Sequence, residues 1–159
     1  HFEHDVQLRY DPDGVARGLE LVERLGFERA LEDVHATATV LAEHGKVGVV
    51  GYCWGGTVAF LANTRLSMPA VSYYGARTVP FLAERIEAPM MFHFGERDPS
   101  ITAHDIELHR EHQEHAEVHV YPAGHGFNCD QRADFERHSA ALALEHTLAF
   151  FRRTLHPAY

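Results

Sequence analysis

"GYCWGG", residues 51–56, follows "KVGVV" and runs on into "TVAFLANTR". The valine-rich run before it has the look of a short buried strand, and the stretch after it that of a helix. A chain that passes from strand to helix in so few residues must turn sharply. Glycines at 51, 55 and 56 permit that turn, because they carry no Cβ. The residue held at its tip is Cys53, one of two cysteines in a chain of 159 residues. A thiol at that point stands by the positive end of the following helix, where the thiolate is favoured over a free thiol of pKa about 8.5.

Working outward, apolar residues recur at helical spacing from Val15 to about His44, with Gly26 dividing the stretch into two helices or one broken one. "PAVSYYG" (69–75) reads as a second strand, followed by a helix at 78–85. Met90–Gly95 is a third strand, ending in the acidic turn "ERD". "SITAHDIELHREHQEHA" is a helix with Ser100 as its cap. "EVHVY" is a fourth strand that enters the glycine-rich "PAGHGF", and a long amphipathic helix over 132–155 closes the chain. Strands alternating with helices imply a mostly parallel sheet flanked by helices, an α/β domain. There is no repeat, linker or low-complexity tract, so residues 1–159 form a single domain.

Composition narrows the partners. The net charge is −9, from 23 acidic and 14 basic side chains. That sign disfavours nucleic acid, which needs clustered Lys and Arg. No apolar run approaches the roughly 18 residues that span a bilayer, and no signal peptide is visible at the start. Two cysteines at unrelated spacing form neither a disulfide framework nor a zinc pattern, which suits a reducing, cytoplasmic setting. Monomer and homodimer both remain open.

In open α/β sheets, reactive groups gather at the carboxyl ends of the strands. Three of the four strands here end in chemically capable residues: Cys53, then Asp98 in "GERDPS", then His125 in "PAGHGF". Nucleophile, acid and histidine in that chain order are the arrangement of the α/β-hydrolase triad, and G-x-nucleophile-x-G is its nucleophile elbow. Each element alone has a plainer explanation, since free cysteines are often simply buried and the chain has 14 histidines. Together they favour a hydrolase with a cysteine nucleophile. The backbone N–H of Trp54 is then a donor to the oxyanion.

The stretches "KVGVVGYCWGG", "YYG", "HFGERDPSI" and "YPAGHGFNCD" resemble the dienelactone hydrolase (carboxymethylenebutenolidase) family over roughly residues 28–155. The resemblance implies an α/β-hydrolase fold, with Cys53 as nucleophile, His125 as base and Asp98 as its orienting acid. It also implies hydrolysis of an ester or enol-lactone, a small-molecule substrate, and no metal or organic cofactor. Family members carry further strands ahead of this region, so the chain reads as the C-terminal two-thirds of the family fold, lacking its N-terminal strands. The family's substrate-binding arginine falls at Cys129 here. Arg77 and Arg132 are other cations for an anionic substrate.

Several readings stay open beside this one. The same triad serves a thioester hydrolase or an acyl transferase, and a non-catalytic binding or regulatory relative is a further alternative. Tyr73, Tyr74 and Phe127 read either as walls of a binding site or as packing residues. Cys129 reads as a small loop residue or as a redox partner of Cys53. His104, His109, His112 and His115 read as a solvated helix face rather than a metal site. Leu142, Leu144, Leu148 and Phe151 read as the core face of the last helix.

Overall fold

A computed structural model of the chain describes residues 3–156. Four strands, β1 (Val49–Tyr52), β2 (Ala70–Tyr73), β3 (Met90–Gly95) and β4 (Glu117–Tyr121), form one sheet in the order β1-β2-β3-β4. All three pairings are parallel. Sequential order in a parallel sheet puts every crossover on the same path, and the carboxyl ends of all four strands on one edge. That edge carries Cys53, Tyr74, Asp98 and His125.

Helix α1 (Pro12–Ala42) opens with Asp11 as its cap and Pro12 in its first turn, and it is broken at Gly26, where φ is +70°. Helix α2 (Trp54–Leu66) leaves the elbow directly and is buried along Gly56–Asn63, the stretch that seats in the core. Helix α3 (Ala103–His112) and helix α4 (Arg137–Leu155) complete the layers. β2 and β3 are buried at every position, as expected of strands covered on both faces. At the core, Phe92 stacks on Phe94 at 5.7 Å, and Phe60 lies 5.9 Å from Phe92. Among the described residues β1 is an edge strand, with Val50 and Tyr52 substantially exposed.

The structure corrects the sequence reading at four places. The segment after β2 is a single 3-10 turn, Val79–Phe81, rather than a helix over 78–85. Helix α3 is capped by Thr102, not Ser100: Thr102 and Asp105 exchange side-chain and backbone bonds in a capping box. The Ser100 N–H instead donates to Asp98 Oδ1 at 2.7 Å. Helix α4 starts at Arg137, because Glu136 accepts from the N–H groups of His138 and Ser139 and fixes the start there. Its core face is Ser139, Ala143, Thr147 and Phe150. Leu144 and Leu148 are 52% and 45% exposed: the inward stripe carries small and polar residues because it meets bulky tyrosines and histidines from the sheet.

Candidate active site

The elbow is built by close approach. A Cβ on Gly51 would lie 1.8 Å from the Gly55 carbonyl oxygen, and one on Gly56 would lie 2.8 Å from the Tyr73 carbonyl oxygen. Cys53 itself sits at φ 54°, ψ −120°, a region that costs a non-glycine residue about 1–3 kcal/mol and is held only by its surroundings. The Cys53 N–H donates to the Tyr73 carbonyl at 2.9 Å, and the Gly56 N–H donates to the Cys53 carbonyl at 2.9 Å. These bonds tie the tip to the neighbouring strand and to its own helix.

The three separated residues converge. His125 Nε2 lies 3.2 Å from Cys53 Sγ, and His125 Nδ1 lies 2.7 Å from Asp98 Oδ2. The Asp98 side chain is completely buried, and its other oxygen is held by the Ser100 N–H. Both carboxylate oxygens are thus committed, one to the backbone and one to the imidazole.

The electrostatics of the pair run in opposite directions. Burial penalises the imidazolium, yet the bonds to Asp98 and Cys53 override it and push His125 up to about 9. Burial likewise penalises the thiolate, but contacts with His125, the Trp54 N–H and the more distant Arg132 cation bring Cys53 below its ordinary value. Each group thus moves towards its charged form through contact with the other.

Other residues named from sequence fall less evenly. The Trp54 N–H helps to lower the Cys53 thiol, while its indole stacks on Phe27 at 5.1 Å and belongs to the α1–α2 packing. Strand alternation sends Tyr73 to the α4 face, where its hydroxyl meets Thr147 Oγ1 at 2.7 Å. Tyr73 is a packing residue and not a wall of the site. Its neighbour Tyr74, at the unusual φ of 41°, lies 5.3 Å from the His125 ring. Phe127 is fully buried against Tyr73, Tyr74 and Tyr121, so it anchors the His125 loop from beneath. Cys129 is a free thiol, as is Cys53, and it lies close enough to Tyr10 to raise that phenol above its ordinary value. His109 is buried edge-on against the stacked Phe92 and Phe94, whereas His104, His112 and His115 are exposed. Among the described residues no group of His, Cys, Asp or Glu is placed to hold a metal.

Of the two candidate cations, Arg77 is exposed, while the Arg132 guanidinium packs against Gly126, a contact the sequence did not show, where a Cβ would lie 2.9 Å from its Nε. Gly126 has φ +77°, so glycine is favoured there on both conformational and steric grounds. Tyr73, His93 and Tyr121 belong to one buried polar network under α4, which no local motif announces.

Sheet, elbow and strand-end residues define an α/β-hydrolase fold. The dienelactone hydrolase family model matches residues 6–155, and the chain belongs to that family. It is 29% identical to a carboxymethylenebutenolidase from Pseudomonas sp. (strain P51), covering 96% of this chain and 70% of that protein. A carboxymethylenebutenolidase from Pseudomonas putida is 36% identical over 67% of this chain and 48% of its own length. Among solved structures, a protein from Klebsiella pneumoniae subsp. pneumoniae MGH 78578, provisionally called a dienelactone hydrolase, superposes with TM-score 0.75 at 28% identity, covering 83% of this chain and 64% of that one. An esterase from Pyrococcus furiosus shares the fold at TM-score 0.60 and 15% identity. The chain thus spans roughly half to two-thirds of these relatives' lengths. No described helix is long and apolar enough to cross a membrane.

Proposed function

We propose that the protein hydrolyses an ester or lactone through a covalent thioester on Cys53. The observation that carries this reading is the continuous contact Asp98–His125–Cys53 across three strand ends. The relatives named carboxymethylenebutenolidases point to an enol-lactone of the dienelactone type as the substrate.

The steps follow from the charge state. The Cys53 thiolate attacks the carbonyl carbon, and the carbonyl π electrons move to oxygen. The Trp54 N–H and the start of α2 face that developing oxyanion. Collapse re-forms the carbonyl, breaks the acyl C–O bond and passes the His125 Nε2 proton to the leaving oxygen. A thioester and a neutral imidazole remain. Acylation has removed the thiolate that helped to hold the imidazole protonated, so His125 is now a competent base. It takes a proton from water, the resulting hydroxide adds to the thioester, and the thiolate leaves with the imidazolium restored. Asp98 keeps the Nδ1 proton in place throughout.

The test is hydrolysis of dienelactone beside p-nitrophenyl acetate by the protein and by its Cys53→Ala variant. Turnover that disappears in the variant supports the reading, and unchanged turnover of either compound in the variant overturns it. Iodoacetamide labelling separates catalysis from a binding role: a non-catalytic relative has no need for Cys53 to react faster than Cys129.

A further inference from the structure

Behind the site, on the α4 face of the sheet, the described residues gather a second histidine cluster, buried at His93 and half-buried at His119 and His146. His93 of β3 is completely buried. Its Nδ1 lies 2.8 Å from the Tyr121 hydroxyl, and its Nε2 lies 3.0 Å from Thr147 Oγ1. The Tyr121 hydroxyl also meets His146 Nδ1 at 3.0 Å, and Thr147 Oγ1 meets the Tyr73 hydroxyl at 2.7 Å. His146 of α4 stacks on His119 of β4 at 4.0 Å, and His119 stacks on His93 at 5.5 Å. His119 Nε2 is buried and has no hydrogen-bond partner.

One arrangement of protons uses every member of this chain. Tyr73 O–H donates to Thr147, Thr147 O–H donates to His93 Nε2, His93 Nδ1–H donates to Tyr121, and Tyr121 O–H donates to His146 Nδ1. Both imidazoles are neutral in it. A proton on His146 Nδ1 reverses the direction of the chain, so that Thr147 donates to Tyr73 and the Tyr73 hydroxyl proton is left without an acceptor in it. A second proton, on His93, sets two donors against each other inside a buried site. The charged groups facing the cluster are few. Glu117 of β4 approaches His119 Nε2 only to 3.9 Å and is itself paired with Arg153 of α4. β2 contributes Tyr73, and β1 contributes Tyr52, which packs on Tyr73 at 4.8 Å.

The cluster reaches the site through aromatic rings. Tyr121 packs on Phe127 at 5.2 Å, Phe127 on Tyr74 at 5.3 Å, and Tyr74 on His125 at 5.3 Å. We propose that His93 and His119, with His146 stacked on them, form a proton-sensitive anchor: neutral, His93 and His119 clamp α4 to the sheet and hold the His125 loop in place, and their protonation on acidification releases both. The three are positioning residues acting through Tyr121 and Phe127. Burial, reinforced by the neighbouring histidines, lowers His93 to about 3 and also lowers His119, which agrees in sign with protonation opposing the packed state. The effect on catalysis rests on the reading of His125 above, while the anchor itself does not.

The test compares wild type with His119→Phe, a change that keeps an aromatic ring in the stack and removes no hydrogen bond. Urea unfolding at pH 7.5 and pH 5 reads the anchor, and the downfield proton NMR signal of His125 Nδ1–H reads its hold on the site. The two proteins are expected to have similar folding equilibria at pH 7.5. At pH 5 the variant is expected to be favoured by about three- to tenfold, since one fully depressed histidine is worth about tenfold per pH unit. The Nδ1–H signal should persist to lower pH in the variant. A difference in stability that does not change with pH overturns the anchor. A signal lost at the same pH in both proteins overturns its link to the site. Neither readout requires turnover, so a failed hydrolase assay leaves the test intact.

Discussion

Two histidines, His125 in the loop beyond β4 and His93 within β3, are driven in opposite directions by their neighbours. His125 has on each ring nitrogen a partner able to carry negative charge, Asp98 and the Cys53 sulfur, and is pushed up to about 9 in spite of burial. His93 has a neutral hydroxyl on each nitrogen, Tyr121 and Thr147, and burial takes it down to about 3. Burial disfavours the charged form in both. What separates them is whether the hydrogen-bond partners can carry negative charge. The first arrangement suits proton transfer, and the second suits holding a helix to a sheet.

The largest effects should come from breaking the first arrangement. Cys53→Ala should remove hydrolysis altogether, as measured with dienelactone and an aryl ester. Asp98→Asn should lower kcat by about 10²–10⁴-fold, because it discards the charge that holds the Nδ1 proton while keeping the shape. Steady-state rates of the two variants check both expectations, and an active Asp98→Asn enzyme would remove the carboxylate from the account.

Breaking the second arrangement should cost stability rather than chemistry. His93→Leu leaves the Tyr121 and Thr147 hydroxyls short of a partner, at about 1–3 kcal/mol for each unsatisfied group. Urea titration at pH 7.5 reads that loss, and the gap from wild type should narrow at pH 5, where the variant has no imidazole to protonate.

The pH dependence sharpens the contrast, because the two windows do not overlap. His93 is depressed in the folded state, so its contribution is complete above the unfolded value of about 6.5 and is lost as pH falls towards 3. By pH 5 that loss is about 2 kcal/mol. His125 is raised, so its contribution is complete below about 6.5 and is lost as pH climbs to about 9. A stability profile should therefore fall on both sides of neutrality, and His125→Gln should flatten only the alkaline side.

Smaller still is the cap of α3. Thr102→Ala should cost about 1 kcal/mol by thermal unfolding, while Ser100→Ala should leave the helix alone.

That last pair shows where sequence reasoning stopped. Ser100 and Thr102 are both plausible caps, and the choice between them depends on Asp105 turning back on the Thr102 N–H. Elsewhere the sequence was more generous. The parallel α/β sheet, and Met90–Gly95 to the residue, follow from apolar runs and strand-helix alternation. The convergence of Cys53, Asp98 and His125 was readable because each stands just beyond a strand, and parallel topology brings those ends together. The α4 face was misread because Leu144 and Leu148 look like core, whereas Ala143 and Thr147 take that place beneath His93 and Tyr73. The His93 network joins positions 73, 93, 121, 146 and 147, and no spacing along the chain reveals a contact that only the folded sheet creates. Cross-strand alternation alone could have separated Tyr73 from Tyr74.

The most direct measurement of the central claim is the pH profile of iodoacetamide alkylation at Cys53, followed by mass spectrometry, in wild type and His125→Gln. Cys53 should react at a midpoint below the free-thiol value of about 8.5, ahead of Cys129, with that advantage lost in the variant. Equal midpoints for Cys53 and Cys129, unchanged by the loss of His125, would contradict that claim.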